Sequence, residues 1–121
     1  MSPNAARTAP RESPLQAISN AIAQIYKAQF GRGPTRVKTY FAGPDAVVCV
    51  VEDTQTPAER RLVELGREHE LRDVRSFFQI AAGEDMRGQV EEATGRRVRA
   101  AMSGTDVRAD AAAELFLLEP A

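Results

Sequence analysis

The run from Phe30 to Asp53, FGRGPTRVKTYFAGPDAVVCVVED, constrains the fold of this chain more than any other stretch. A helical pattern stops at Gly31. A Gly-Pro corner follows, then an alternating strand, a tight turn and a second strand that is apolar throughout. A looser version returns from Ala93 to Glu119, ATGRRVRAAMSGTDVRADAAAELFLLE. Both copies follow a helix, and both end in an apolar strand closed by acids.

The first helix has a defined start and stop. Ser13 caps, Pro14 suits the first helical position, and Gln16 completes a capping box. Leu15, Ile18, Ile22 and Ile25 recur at three- and four-residue spacing and mark one face, widened by Tyr26 and Phe30. Gly31 fits the left-handed position after the last turn. Gly33-Pro34 then forces an extended exit, because the residue before proline is pushed away from helix. From Thr35 to Phe41 the pattern alternates. Val37, Thr39 and Phe41 share one face, and Arg36, Lys38 and Tyr40 share the other, wet and basic. Gly43-Pro44-Asp45 supplies a turn. Ala46 to Val51 is β-branched and apolar on both faces, as in a central strand covered on both sides.

Thr56-Pro57-Ala58-Glu59 is a second capping box, and its short helix turns Leu62 and Leu65 inward before ending near Gly66. One longer helix is expected from Glu68 to Ala93, with Leu71, Val74, Phe78 and Ala81 buried and Phe77 beside them. Gly83 and Gly88 weaken its later turns and suggest a kink or a close helix approach. Thr94-Gly95 ends it. Val98, Ala100 and Met102 begin a third strand, Ser103 to Asp110 reads as a polar connection, and Ala112 to Leu118 forms the fourth strand.

The order α-β-β-α-α-β-β predicts an α+β domain of two degenerate α-β-β units. They form a four-stranded antiparallel sheet with helices on one face. Residues 1–12 read as a disordered tail and 13–121 as a single domain. An apolar sheet face is left over, which predicts a partner and, in the plainest reading, a homodimer.

Composition narrows the function classes. At 121 residues with 43% hydrophobic content there is room for one core. A net charge of -1 gives no general case for nucleic acid. The single cysteine, Cys49, lies in VVCVV and reads as core, so no intrachain disulfide is expected. No apolar run approaches membrane-spanning length, and the first residues lack the apolar segment of a signal peptide. A cytoplasmic setting is the expectation.

Catalytic chemistry is sparse. His69 is the only histidine, and it stands among charges in GREHE without a second ligand at metal spacing. No cofactor, metal site or catalytic residue is expected, and the chain reads as not an enzyme. Glu52 and Asp53 end a strand and read as solvated. The arginines from Arg60 to Arg75 are interleaved with acids and read as a salt-bridged, solvated face. Gly31 to Lys38 tempts a phosphate reading, but its glycines follow a helix and enter a strand, so the helix dipole has the wrong sign for an anion. Arg32, Arg36, Lys38 and Tyr40 remain as a candidate partner- or anion-binding patch.

Several quoted motifs, taken in order, carry a family resemblance over residues 15–120. They are Ile25-Tyr26-Lys27, then Phe30-Gly31-Arg32-Gly33-Pro34-Thr35 with Thr39-Tyr40, and Thr56-Pro57-Ala58-Glu59 with Leu62. Gly66, Val74-Arg75, Thr94-Gly95 with Val98, and Phe116-Leu117-Leu118-Glu119 complete the set. In this the chain resembles the MpsC-like family of small bacterial domains. The resemblance implies an accessory protein linked to a sodium-translocating, membrane-potential-generating system, or to cation or inorganic-carbon transport. It implies a membrane transport complex as partner and supplies no catalytic residue. The alternative expectation is a ligand-sensing or nucleic-acid-binding module that uses the basic strand face.

Overall fold

The computed structural model describes residues 12–121, so the expected N-terminal tail lies outside the described residues except for Glu12. Helix α1 spans Pro14–Phe30, strand β1 Arg36–Phe41 and strand β2 Ala46–Glu52. Helices α2 (Pro57–Glu64), α3 (Glu68–Ala81) and α4 (Gly83–Thr94) follow, then strands β3 (Val98–Asp106) and β4 (Ala111–Leu118). All pairings are antiparallel, in the order β1-β2-β4-β3. The two apolar strands are therefore the central ones, and each hairpin contributes an outer strand.

Local chemistry sets most of the boundaries as expected. The Ser13 hydroxyl accepts from the Gln16 amide, but the expected capping box stays open because the Gln16 side chain donates to Asn20. Gly31 is left-handed at φ 79° with its N–H donating to the Lys27 carbonyl. Gly95 repeats that stop at φ 68° after α4. The capping box of Thr56 and Glu59 is complete in both directions; losing such a cap costs about 1 kcal/mol.

Several expectations fail. Leu65, expected to turn inward, is 57% exposed. The single helix from Glu68 to Ala93 is two helices that break at Ala82–Gly83. Gly83 marks this kink, as suggested. A close helix approach is not the reason, because nothing lies within 4 Å of where a Cβ would stand on Gly83 or Gly88. The polar segment Ser103 to Asp106 is strand, not connection. Its backbone pairs with β4, and that pairing overrides the weak strand propensity of Ser, Gly and Asp.

The helices cover one face of the sheet. Ile18, Ile22 and Tyr26 of α1, with Met86 and Val90 of α4, pack on Val47, Cys49, Val51, Phe116 and Leu118. Pairing register puts Val37, Thr39 and Phe41 on this inner face and Arg36, Lys38 and Tyr40 on the outer one, as the alternation predicts.

Candidate interaction surface

The outer face is a platform of cross-strand rows. Tyr40 pairs with Val48, Val48 with Leu115, and Leu115 with Met102. The next row holds Lys38, Val50, Ala113 and Gly104, and the last Arg36, Glu52, Ala111 and Asp106. No helix covers these rows: Tyr40 is 47% and Met102 50% exposed, and the central Val48, Val50 and Leu115 are half-buried. The expected leftover apolar face is thus present, and wider than the two central strands.

The four expected patch residues do not all meet. Arg36, Lys38 and Tyr40 lie on the platform. Arg32 does not: its guanidinium donates to the Asp53 carbonyl at 2.7 Å and contacts the Asp53 carboxylate at 3.2 Å. Arg36 lies 3.6 Å from Glu52.

Asp53, the partner of Arg32, lines a charged cleft of about 740 Å³ at one end of the sheet, together with Arg36, Glu52, Arg60 and Asp110. Asp53 closes β2 and Asp110 precedes β4. Both are left-handed, at φ 59° and φ 52°, a conformation that costs a side-chain-bearing residue about 1 kcal/mol or more. The Asp53 N–H donates to the Asp110 carbonyl at 3.0 Å, and the Asp110 carboxylate accepts from the amides of Thr54 and Gln55. Hydrogen bonds from Arg32 and Thr35, with Arg60 nearby, hold the Asp53 carboxyl down at about 2. The expectation that Asp53 is merely solvated is therefore wrong. Its cations are occupied by its own carboxylate, so an incoming anion would have to displace it.

The helical arginines sort in the same way. Arg61 lies within reach of Glu64, Arg67 of Glu70, and Arg72 of the His69 ring. Arg75 is the exception to the solvated reading, being only 4% exposed. It donates to both oxygens of Glu59 at 2.7 Å and to the Thr54 hydroxyl at 2.7 Å, and it lies over the Phe30 ring at 3.8 Å. Burial pushes the Glu59 carboxyl up, but the Arg75 and Thr56 hydrogen bonds outweigh it and leave the group below its ordinary value.

Arg75 shows that α3 is rotated from the expected face. Its buried residues are Leu71, Arg75 and Gln79, and Val74 and Ala81 are exposed. Phe77 and Ile80 stand 66% and 78% exposed. Val74, Phe77 and Ile80 form an outward apolar stripe, although the sequence pattern puts Val74 on the buried face and Phe77 beside it.

Beneath the platform, the inner face carries a polar row across all four strands. Thr39 pairs with Cys49, Cys49 with Glu114, and Glu114 with Ser103. Glu114 is 1% exposed and accepts hydrogen bonds from Tyr26 at 2.6 Å, Gln79 at 2.9 Å and Ser103. Ser19 and Thr39 share a 2.6 Å bond. Burial raises the Glu114 carboxyl against its three donors, and burial likewise pushes the Cys49 thiol up to about 11. Cys49 is core, as expected. Among the described residues no three His, Cys, Asp or Glu side chains converge as for a metal ion.

The fold is an α+β domain with an open apolar sheet face and a set of internally paired charges. The family model for MpsC, described as a Na+-translocating membrane potential-generating system, matches residues 11–120, and the chain belongs to that family. Neither the curated proteins nor the solved structures gave a match. No helix among the described residues is long and apolar enough to cross a membrane.

Proposed function

We propose that this chain is a non-enzymatic accessory or regulatory domain of a Na+-translocating, membrane-potential-generating system. It works as a homodimer that docks on a membrane-embedded partner, and cation or inorganic-carbon transport is the process it serves. The observation that carries this reading is the coexistence of two unpartnered apolar surfaces with a chain of this family. Val74, Phe77 and Ile80 follow one another at three-residue spacing on α3, a pattern that seats against an amphipathic helix. A helix on the partner's cytoplasmic side is the proposed occupant, which sets this domain in the cytoplasm at the membrane surface.

The test is recovery of the protein with membranes from its own cells. Wild-type chain is expected in a detergent-solubilised complex. Phe77→Glu should abolish that recovery and leave the circular dichroism and melting temperature of the free protein unchanged. Recovery of the wild type only as a free species, with an unchanged membrane potential on deletion, would overturn the proposal. Binding of nucleic acid or phosphate that weakens with salt and on Arg36→Glu or Lys38→Glu would favour the ligand-binding alternative instead.

A further inference from the structure

The homodimer has, on this structure, a self-complementary face with one preferred register. We infer that a second copy of this chain packs its outer sheet face on the first, about a two-fold axis that lies in the sheet plane, parallel to the strands, between β2 and β4. The inference rests on the homodimer reading above but not on the membrane partner.

The rows decide the axis. Such a two-fold lays β1 of one copy over β3 of the other and keeps each row at its own level. Tyr40 then meets Met102 of the second copy, and Val48 meets its Leu115. These are the large apolar groups of the face, and both pairs belong to one row. At the next level Lys38 covers Gly104 of the second copy, where there is no side chain to oppose it. At the charged end Arg36 meets Asp106, so each of its two copies brings a cation to an anion. Arg36 is paired with its own Glu52 at 3.6 Å, but its side chain is 77% exposed and can reach across to Asp106 as well. Asp106 accepts from the amides of Arg108 and Ala109 through one oxygen. No hydrogen bond engages the other oxygen.

The other two-fold in the sheet plane, perpendicular to the strands, fails on charge. Through the Lys38 row it places Lys38 on Lys38 and Asp106 on Met102, which opposes like charges and buries an acid on an apolar side chain. Discrimination of this kind against the wrong pairing costs several kcal/mol where charges are desolvated.

Size sets the strength. With strands ~4.8 Å apart and same-face rows ~6.8 Å apart, the three rows cover roughly 400 Å² per copy. Two copies reach roughly 800 Å², the size of a weak, transient contact. The dimer is therefore reversible and concentration-dependent.

Sedimentation equilibrium on the full chain is the first test. The wild type should pass from monomer to dimer with concentration. Met102→Glu should weaken association at least tenfold with an unchanged melting temperature, since Met102 is half exposed in the single copy. Register is tested with a short bismaleimide, because aligned sheets lie ~10 Å apart, too far for a disulfide. The double variant Tyr40→Cys, Met102→Cys should give a covalent dimer. Tyr40→Cys alone should not, and buried Cys49 should leave the wild type unreacted. A wild type that stays monomeric overturns both the dimer and its geometry. A dimer that persists in Met102→Glu, or that cross-links through Tyr40→Cys alone, overturns the face or the axis and leaves the dimer reading standing.

Discussion

The two faces of the sheet are made by the same four strands, and one row on each is inverted in polarity. The inner face, under the helices, holds the row Thr39, Cys49, Glu114 and Ser103. The outer face, open to solvent, holds Tyr40, Val48, Leu115 and Met102 one residue along each strand. A lone domain gains most by the opposite arrangement, because burying polar groups costs and burying apolar ones stabilises. The inner row is tolerable only because Tyr26, Gln79 and Ser19 satisfy it. The outer row is left open among the described residues, and it is the surface on which the proposed second copy would sit. The inner face specifies how the helices sit.

Breaking the buried polar side should give the largest effects. Arg75→Ala would strip Glu59 of its cation, leaving it only the Thr56 amide, and would remove the Thr54 bond and the contact over Phe30. Removing one partner of a buried ion pair costs about 3–5 kcal/mol. Urea denaturation should show a loss of this size; a loss under 1 kcal/mol would mean that Arg75 swings out to solvent and that the buried pair is not what fixes α3.

Glu114 comes next. Glu114→Ala leaves the Tyr26 hydroxyl proton without an acceptor in the core, while the Gln79 amide keeps the Gly104 carbonyl, and an unsatisfied buried group costs about 1–3 kcal/mol. The sign of its pH dependence follows from burial. The folded carboxyl titrates above its unfolded value, so the native state holds more protons. Its contribution is therefore most favourable below the unfolded value and declines as pH rises from about 4.5 through the folded value. Asp53 has the reverse sign: its contribution is present above the ordinary aspartate range and is lost as pH falls toward about 2. Glu114→Gln cannot ionise, so denaturation at stepped pH should show that the decline above pH 4.5 disappears in this variant while the acid limb remains.

Much of the fold was legible because its signals are local. The caps at Ser13 and Thr56, the stops at Gly31 and Gly95, and the alternation from Thr35 to Phe41 are fixed by backbone chemistry within a few residues. The expected α-β-β-α-α-β-β order and the leftover apolar face follow from them. What stayed hidden depends on distant pairing. The rotation of α3 could not be read because Arg75 and Gln79 are polar, and their burial is made possible by Glu59, Thr54 and Glu114 elsewhere in the chain. The period of Leu71, Val74 and Phe78 pointed to the wrong face for the same reason. Arg32 looked free for a ligand because nothing near it in sequence announces Asp53, which lies 21 positions away. Glu114 itself, in AAAELFLL, was passed over although a lone acid inside an apolar strand is a signal for a buried partner.

The smallest effect sharpens the contrast most. Met102→Ala removes an apolar side chain of the same volume class as those in the core, yet here the side chain is half exposed and meets no helix. Exposed substitutions away from caps and networks change stability by about 0.5 kcal/mol or less. Below the concentration at which the chain self-associates, Met102→Ala should unfold within that margin of the wild type. Its counterpart Met86, 2% exposed beneath α1, should cost about 2–5 kcal/mol on the same change. As protein concentration rises, the gap between wild type and Met102→Ala should widen, because the wild type should gain stability through mass action and Met102→Ala should not. A concentration-independent gap between wild type and Met102→Ala would place Met102 in the fold of the single copy, and the inversion of the two faces would then say nothing about a partner.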